Sequence, residues 1–210
     1  MSYSRILVRG ANWVGDAVMS VPALRAIRER HPRARIDILA LPWVADLYAR
    51  ESFCDEILPY RAARGPRDWK SKLAVARQLR GRAYDCAVLL PNSFDSALVV
   101  WLARIPERIG YARNGRSLLL TRAIPSPRRG QIPPHVSNYY LELLRRAGWI
   151  ERLPDEIVIR LDGYHQARRA GLDRFDALRL TGPAIGVSPG AAYGGAKRWL
   201  PDRFAEAVRA

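Results

Sequence analysis

Cysteine is scarce in this sequence: Cys54 and Cys86 are the whole supply, and no CxxC pair occurs. Histidine is nearly as rare, with His31, His135 and His165 far apart along the chain. Neither a disulfide framework nor a zinc site is expected, and no metal or other cofactor is called for. Long apolar runs are missing too. No stretch reaches the roughly 18 uninterrupted apolar residues of a membrane-spanning helix, and the opening MSYSRILVRG lacks the apolar core of a signal peptide. The cytoplasm is the expected compartment.

Acidic residues are the other shortage. Asp and Glu number 20 against 35 Lys and Arg, a net charge of +15. Most of it comes from arginine, which forks onto phosphate and carboxylate better than lysine does. An anionic partner follows, although sign alone does not separate nucleic acid, an acidic membrane surface and a phosphorylated substrate. The charge is also uneven. Arg61, Arg64, Arg67, Lys70, Lys72, Arg77, Arg80 and Arg82 stand against the single acid Asp68, and a second basic run extends from Arg104 to Arg129.

What is present is a folding chain. Apolar residues make up 49% of 210 positions, enough for one complete core and part of a second. Strand-like runs at 5–9, 35–40, 56–59, 84–90 and 108–111 alternate with helical patterns at 15–30, 44–50, 68–79 and 94–103. In the first helix Val14, Val18, Val21, Leu24 and Ile27 share a face, and Pro22 is expected to kink it or mark a restart after Ser20. Such alternation predicts an α/β fold with a parallel sheet covered on both sides, with ligands received beyond the carboxyl ends of the strands. A helix over 136–147 ends at Gly148. Residues 156–161 read as a strand, 164–178 as a helix, 184–188 as a short buried strand, and another helix starts at Pro201. The expected division is a domain over 1–155 and, over 156–210, a linker with the start of a second domain, so that the chain reads as the front of a longer protein.

Two strand-to-helix turns carry chemistry. The first, "RGANWVGDAV" (residues 9–18), follows Ile6-Leu7-Val8 and has the glycine spacing of a phosphate-cradling loop, but Asp16 and Ala17 stand where that loop needs Lys and Ser or Thr. Gly10-Ala11-Asn12 breaks the dinucleotide fingerprint as well. What remains is a helix start with a carboxylate in its first turn: either a complement to the helix dipole or a general base facing a cleft. The second turn, "SPGAAYGGAKRW" (residues 188–199), offers backbone N–H groups and the Lys197-Arg198 pair, a pattern that suits a diphosphate or an ordinary solvated loop.

With these turns, "ILVRGANWVGDAVMSVPALRAIRERHP", "LLPNSFDSALVVWLARIPERIGY" and "GVSPGAAYGGAKRW" resemble glycosyltransferase family 9, the ADP-heptose:lipopolysaccharide heptosyltransferases, over essentially the whole chain. The resemblance implies a GT-B fold of two Rossmann-like domains, of which this chain holds the first and the start of the second. It implies metal-independent, inverting transfer of L-glycero-D-manno-heptose from ADP-heptose to the heptosyl-Kdo2-lipid A inner core. Asp16 matches the family's catalytic base and Lys197 its phosphate-contacting lysine. Asn12 and Gly15 match the loop beside the base, and Ser188, Gly190 and Ala191 the donor-side turn. The residues that read adenine and heptose in the family lie beyond Ala210, so weak donor binding and impaired turnover are expected of this chain.

By the same resemblance the acceptor is a phosphorylated, Kdo-bearing lipid at the inner leaflet, and the protein works in the cytoplasm, peripherally associated with the inner membrane. Arg61, Arg64, Arg67, Lys70 and Lys72 are candidates to grip its anionic sugars or the bilayer surface. Ser93 is placed either to contact the acceptor or to cap the following helix. His135 reads as structural, and Trp69, Trp101 and Trp149 as core or interface. Two alternatives stand beside this reading: another nucleotide-sugar donor on the same two domains, and a basic nucleic-acid-binding module. Against the second, both special turns sit at strand ends rather than on a groove-reading element, so no nucleic acid is expected.

Overall fold

Six short strands carry the fold: β1 (Arg5–Arg9), β2 (Arg35–Ala40), β3 (Glu56–Pro59), β4 (Cys86–Leu89), β5 (Glu107–Tyr111) and β6 (Arg122–Ile124). They form one parallel sheet in the order β3-β2-β1-β4-β5-β6, as the α/β expectation requires. The computed structural model describes residues 3–61, 68–187, 190 and 198–209. They divide between two compact units, Met1–Gly163 and Tyr164–Ala210.

The central strands are buried on both faces, which is why they read as continuous apolar runs: Ile6, Leu7 and Val8 are fully inaccessible, as are Cys86 to Leu89. Side chains alternate across β1. Ile6 and Val8 join one cluster with Val21, Leu24 and Ile27 of helix α1 (Val14–Arg30) and Leu141 and Leu144 of α5 (Val136–Arg146). Leu7 joins a second with Leu79 of α3 (Asp68–Arg80) and Val100 of α4 (Phe94–Leu102). A short helix, α2 (Pro42–Tyr48), follows β2.

Helix α1 neither breaks nor restarts at Pro22. Pro22 deprives one carbonyl of its partner, yet Val21, Leu24 and Ile27 are at most 1% exposed, and burying three such side chains outweighs one missing hydrogen bond. Strand β6 was not expected: it has three residues after a 3-10 turn at Arg116–Leu119, too few to show a period.

Residues 156–161 do not form a strand. Their alternation is real, since Ile157, Ile159 and Leu161 pack against the first cluster, but no sheet edge receives them. The segment is fastened instead by its end. Asp162 accepts from the Ser52 hydroxyl at 2.6 Å and pairs with Arg25 at 2.6 Å. The buried Glu51 carboxylate accepts the Asp162 N–H at 3.1 Å. These contacts keep residues 156–163 with the first unit, which ends at Gly163, beyond the boundary at 155 that composition suggested.

In the second unit, α6 spans Tyr164–Ala177 and α7 spans Pro201–Arg209. Of residues 184–188, expected as a buried strand, Ser188 lies outside the described residues and 184–187 have no ladder partner among them. Ile185 is 74% exposed there.

Candidate active site

The strand order reverses between β1 and β4, and in parallel sheets the crevice beyond the carboxyl ends of such a pair is where ligands bind. The loop 10–13 after β1 and the loop 90–93 after β4 flank that crevice. Each is held by a buried arginine.

Arg9, the last residue of β1, is 3% exposed. Its Nη2 donates to Asn12 Oδ1 at 2.6 Å and its Nη1 to the carbonyls of Gly10 and Leu39. The guanidinium lies 5.0 Å from the centroid of the Tyr60 ring. Burial pushes its pKa down, with Tyr60 opposing. The Asn12 carbonyl is in turn taken by Trp43 Nε1 at 2.9 Å, so the loop is gripped at backbone and side chain. The backbone at Gly10 runs close to β2: a Cβ there would stand 3.2 Å from Ile38 Cγ2.

Beyond the loop, α1 begins at Val14 with no side-chain cap, and Ala17 N–H donates to Trp13 O at 2.8 Å. Gly15 faces open space, with nothing within 4 Å of where a Cβ would be. Asp16 is half-buried in the first turn. It forms no hydrogen bond or ion pair with a described residue. Its charge does reach the buried Tyr140 on α5, whose hydroxyl pKa is raised first by burial and then by Asp16. Beneath it the Tyr48 hydroxyl donates to Ala17 O at 3.0 Å and the Ser20 hydroxyl to the same oxygen at 2.8 Å. A carboxylate at the carboxyl edge of a sheet, on a fixed turn, with open space beside it and no cation among the described residues paired with it, can accept a proton from a bound hydroxyl.

Across the crevice, Arg116 is fully buried. Nε donates to Tyr111 O at 2.9 Å, Nη1 to Ser96 Oγ at 2.9 Å and to Pro91 O, and Nη2 to Asn92 Oδ1 at 3.3 Å. Burial pushes this guanidinium down to about 10. Asn92 Nδ2 continues the network to the Tyr139 hydroxyl at 2.8 Å. Ser93 caps α4, its Oγ accepting from Ser96 N at 3.3 Å, and His135 caps α5, its Nδ1 accepting from Ser137 N. Neither arginine has a carboxylate partner among the described residues.

The structure thus brings Asn12, Gly15 and Asp16 together and sets Ser93 on the opposite loop. Arg61 is exposed just past β3, at the same edge of the sheet. Gly190 is exposed. Arg64, Arg67, Ser188, Ala191 and Lys197 lie outside the described residues. Lys72 needs correction as an anion gripper: it is held by Asp68 at 2.7 Å and Asp95 at 2.8 Å. Arg82 is likewise spent on Glu56 and Asp37. Of the three tryptophans expected in core or interface, Trp149 is buried, whereas Trp69 and Trp101 are 49% and 46% exposed. Arg9 and Arg116 went unforeseen. A charged residue closing an apolar strand run was a legible sign of the first; nothing local marked the second.

The sequence profile described as "Glycosyltransferase family 9 (heptosyltransferase)" matches residues 72–210. The chain belongs to glycosyltransferase family 9. Within that family it is 31% identical over 208 residues to lipopolysaccharide heptosyltransferase 2 of Salmonella typhimurium, covering 98% of this chain and 59% of the relative. It is 30% identical over 209 residues to lipooligosaccharide heptosyltransferase 2 of Haemophilus ducreyi, covering 96% and 58%. The solved structure of E. coli ADP-heptose LPS heptosyltransferase II superposes with a TM-score of 0.75 at 31% identity, over 98% of this chain and 60% of that one. A family 9 glycosyl transferase from Veillonella parvula shares the fold, with a TM-score of 0.78 at 20% identity over 99% and 59%. The family 9 chain described here therefore spans about 59% of the length of the relatives it matches.

Proposed function

We propose that the Met1–Gly163 unit is the acceptor-binding part of a GT-B heptosyltransferase, and that residues from 164 onward open its donor-binding domain. The reaction is inverting transfer of L-glycero-D-manno-heptose from ADP-heptose to a phosphorylated, heptosyl-Kdo2-lipid A acceptor in lipopolysaccharide core synthesis. The observation that carries this reading is Asp16: a half-buried carboxylate in the first turn of α1, without an ion-pair partner among the described residues, on a loop fixed by Arg9 and Trp43. The names of the relatives, two heptosyltransferases 2 and an ADP-heptose LPS heptosyltransferase II, supply the donor and acceptor class.

In this reading Asp16 takes the proton of an acceptor hydroxyl as that oxygen displaces ADP from the anomeric carbon of the heptose. Asn12 and Ser93 line the acceptor side. Lys197, with the turn containing Ser188, Gly190 and Ala191, stabilises the charge developing on the departing diphosphate. No metal takes part in the step. Arg61 and Arg64 meet the acceptor's anionic sugars, and the unit works in the cytoplasm against the anionic inner leaflet.

The test is heptose transfer from ADP-heptose to heptosyl-Kdo2-lipid A by the chain joined to a complete family 9 donor domain. Asp16→Ala should lower the rate about 10²–10⁴-fold with little change in donor affinity. Near-normal turnover by that variant would remove Asp16 as the base, and absence of transfer by the folded parent would redirect the search to other nucleotide-sugar donors.

A further inference from the structure

The loop after β6 and the amino end of α5 enclose an open cleft of about 550 Å³. Its floor is apolar, with Pro127, Ile132, Pro134 and Val136 among its lining residues. Val136, the first residue of α5, is 46% exposed. The rim is cationic: Arg128 and Arg129 line the same cleft, both exposed, and neither forms an ion pair with a described residue. No acidic side chain lines it. The amino end of α5 adds a third source of positive potential.

The shape of this cleft does not depend on those two guanidinium groups. Arg146 of α5 fastens the loop from outside, donating to Pro125 O at 2.9 Å and to Gln131 Oε1 at 3.4 Å while its Nε is paired with Glu142 at 2.6 Å. Gln131 Oε1 also accepts the Arg128 backbone N–H at 2.8 Å. The loop is therefore held by backbone and amide contacts, and the Arg128 and Arg129 side chains are left over. Two uncommitted cations beside an apolar floor match an amphiphile with one anionic end. A free anion would use the arginines and leave the floor wet, and an apolar peptide would use the floor and strand two cations.

We propose that this cleft receives the phosphorylated end of a membrane lipid. Its phosphate oxygens accept from Arg128 and Arg129, and the first carbons of its chain cover Ile132 and Val136. The proposal rests on the reading that the protein works against an anionic membrane, and it names where that surface is gripped. It does not involve Asp16.

The experiment is co-sedimentation of the chain with vesicles of phosphatidylglycerol in phosphatidylcholine, against vesicles of phosphatidylcholine alone. The chain should bind the anionic vesicles. R128E/R129E should weaken binding at least about tenfold, and I132S/V136S, which leaves the net charge unchanged, several-fold. R168E/R169E, an equal charge change on the exposed face of α6, should weaken it less than about twofold. Circular dichroism establishes that each variant is folded. Anionic-vesicle binding that falls equally with R168E/R169E, or that ignores I132S/V136S, overturns the cleft while leaving membrane association intact. No binding by the parent chain overturns both. Full competition by millimolar inorganic phosphate would make the cleft a simple anion site and overturn the lipid assignment.

Discussion

Arg9 Nη2 donates to Asn12 Oδ1 at 2.6 Å, so a buried cation fixes which end of the Asn12 amide stays free. The side-chain carbonyl accepts from Arg9, and no described residue accepts from the NH2. Asn12 therefore turns its NH2 donors toward a ligand lying beside Asp16, which suits a sugar hydroxyl or carboxylate oxygen.

That polarity is separable from stability. Asn12→Asp places a carboxylate on a guanidinium that has none, and it should leave the thermal midpoint unchanged or higher while removing the donor. Transfer by the donor-domain fusion should fall at least about tenfold. Arg9→Met should instead destabilise the fold by about 1–3 kcal/mol, because Asn12 Oδ1 and the Gly10 carbonyl lose a charged donor. Urea unfolding read by circular dichroism distinguishes the two.

Asp16 should behave oppositely to Arg9. With no hydrogen bond or ion pair to lose among described residues, Asp16→Ala should cost no more than about 1 kcal/mol, the helix-dipole contribution. A larger loss in the same urea experiment would make Asp16 structural.

Gly110 is committed to Arg116. A Cβ there would meet Arg116 Nη2 at 3.0 Å and Leu89 Cβ at 3.3 Å, and the guanidinium cannot retreat without releasing Pro91, Asn92 and Ser96. Gly110→Ala should cost about 1–3 kcal/mol. A midpoint equal to that of the parent chain would show that the Arg116 clamp is slack.

Lys70 and Lys72 are two residues apart and should respond differently. Lys72 holds its proton above the ordinary lysine range: burial opposes this, but the bonds to Asp68 and Asp95 win. Lys72→Ala leaves the buried Asp68 without its cation and should destabilise by about 1–3 kcal/mol. Lys70 is exposed, and Lys70→Ala should fall within about 0.5 kcal/mol of the parent.

Acid should loosen the 156–163 segment before the sheet. Hydrogen bonds from the Ser52 hydroxyl and Arg25 pull Asp162 down from 3.8 to about 2. A depressed carboxylate contributes stability that is complete above the ordinary pKa and is lost as pH falls through the folded one. The loss should therefore come between about pH 4 and pH 2. Asp162→Asn should remove that part of the pH dependence, measured as the thermal midpoint across this window. An unchanged acid limb in the variant would assign it to other carboxylates.

Much of the sheet was legible because central parallel strands are buried on both faces. Ile6-Leu7-Val8 and the run ending at Leu89 are unbroken apolar segments, and composition alone exposes them. Strand β6 was illegible because three residues carry no period. The 156–161 segment was misread for the complementary reason: alternation records which side chains are buried, not whether a neighbouring strand exists to pair with. Pro22 was read as a kink or a restart because propensity is local, while the burial of Val21, Leu24 and Ile27 that keeps one continuous helix is not.

The sequence by itself determined the alternation of β1 to β5 with α1 to α4, the excess of arginine, and the acidic turn that ruled out a phosphate loop at residues 10–16, since each depends on neighbours along the chain. Only the tertiary structure decided which charges are free. Lys72 and Arg82 are spent on carboxylates, Arg9 and Arg116 are buried as clamps on the two crevice loops, and Arg128 and Arg129 are left over. Whether a cation is available depends on what lies within about 4 Å of it in space, and partners such as Asp95 for Lys72 or Pro91 for Arg116 come from more than 20 positions away.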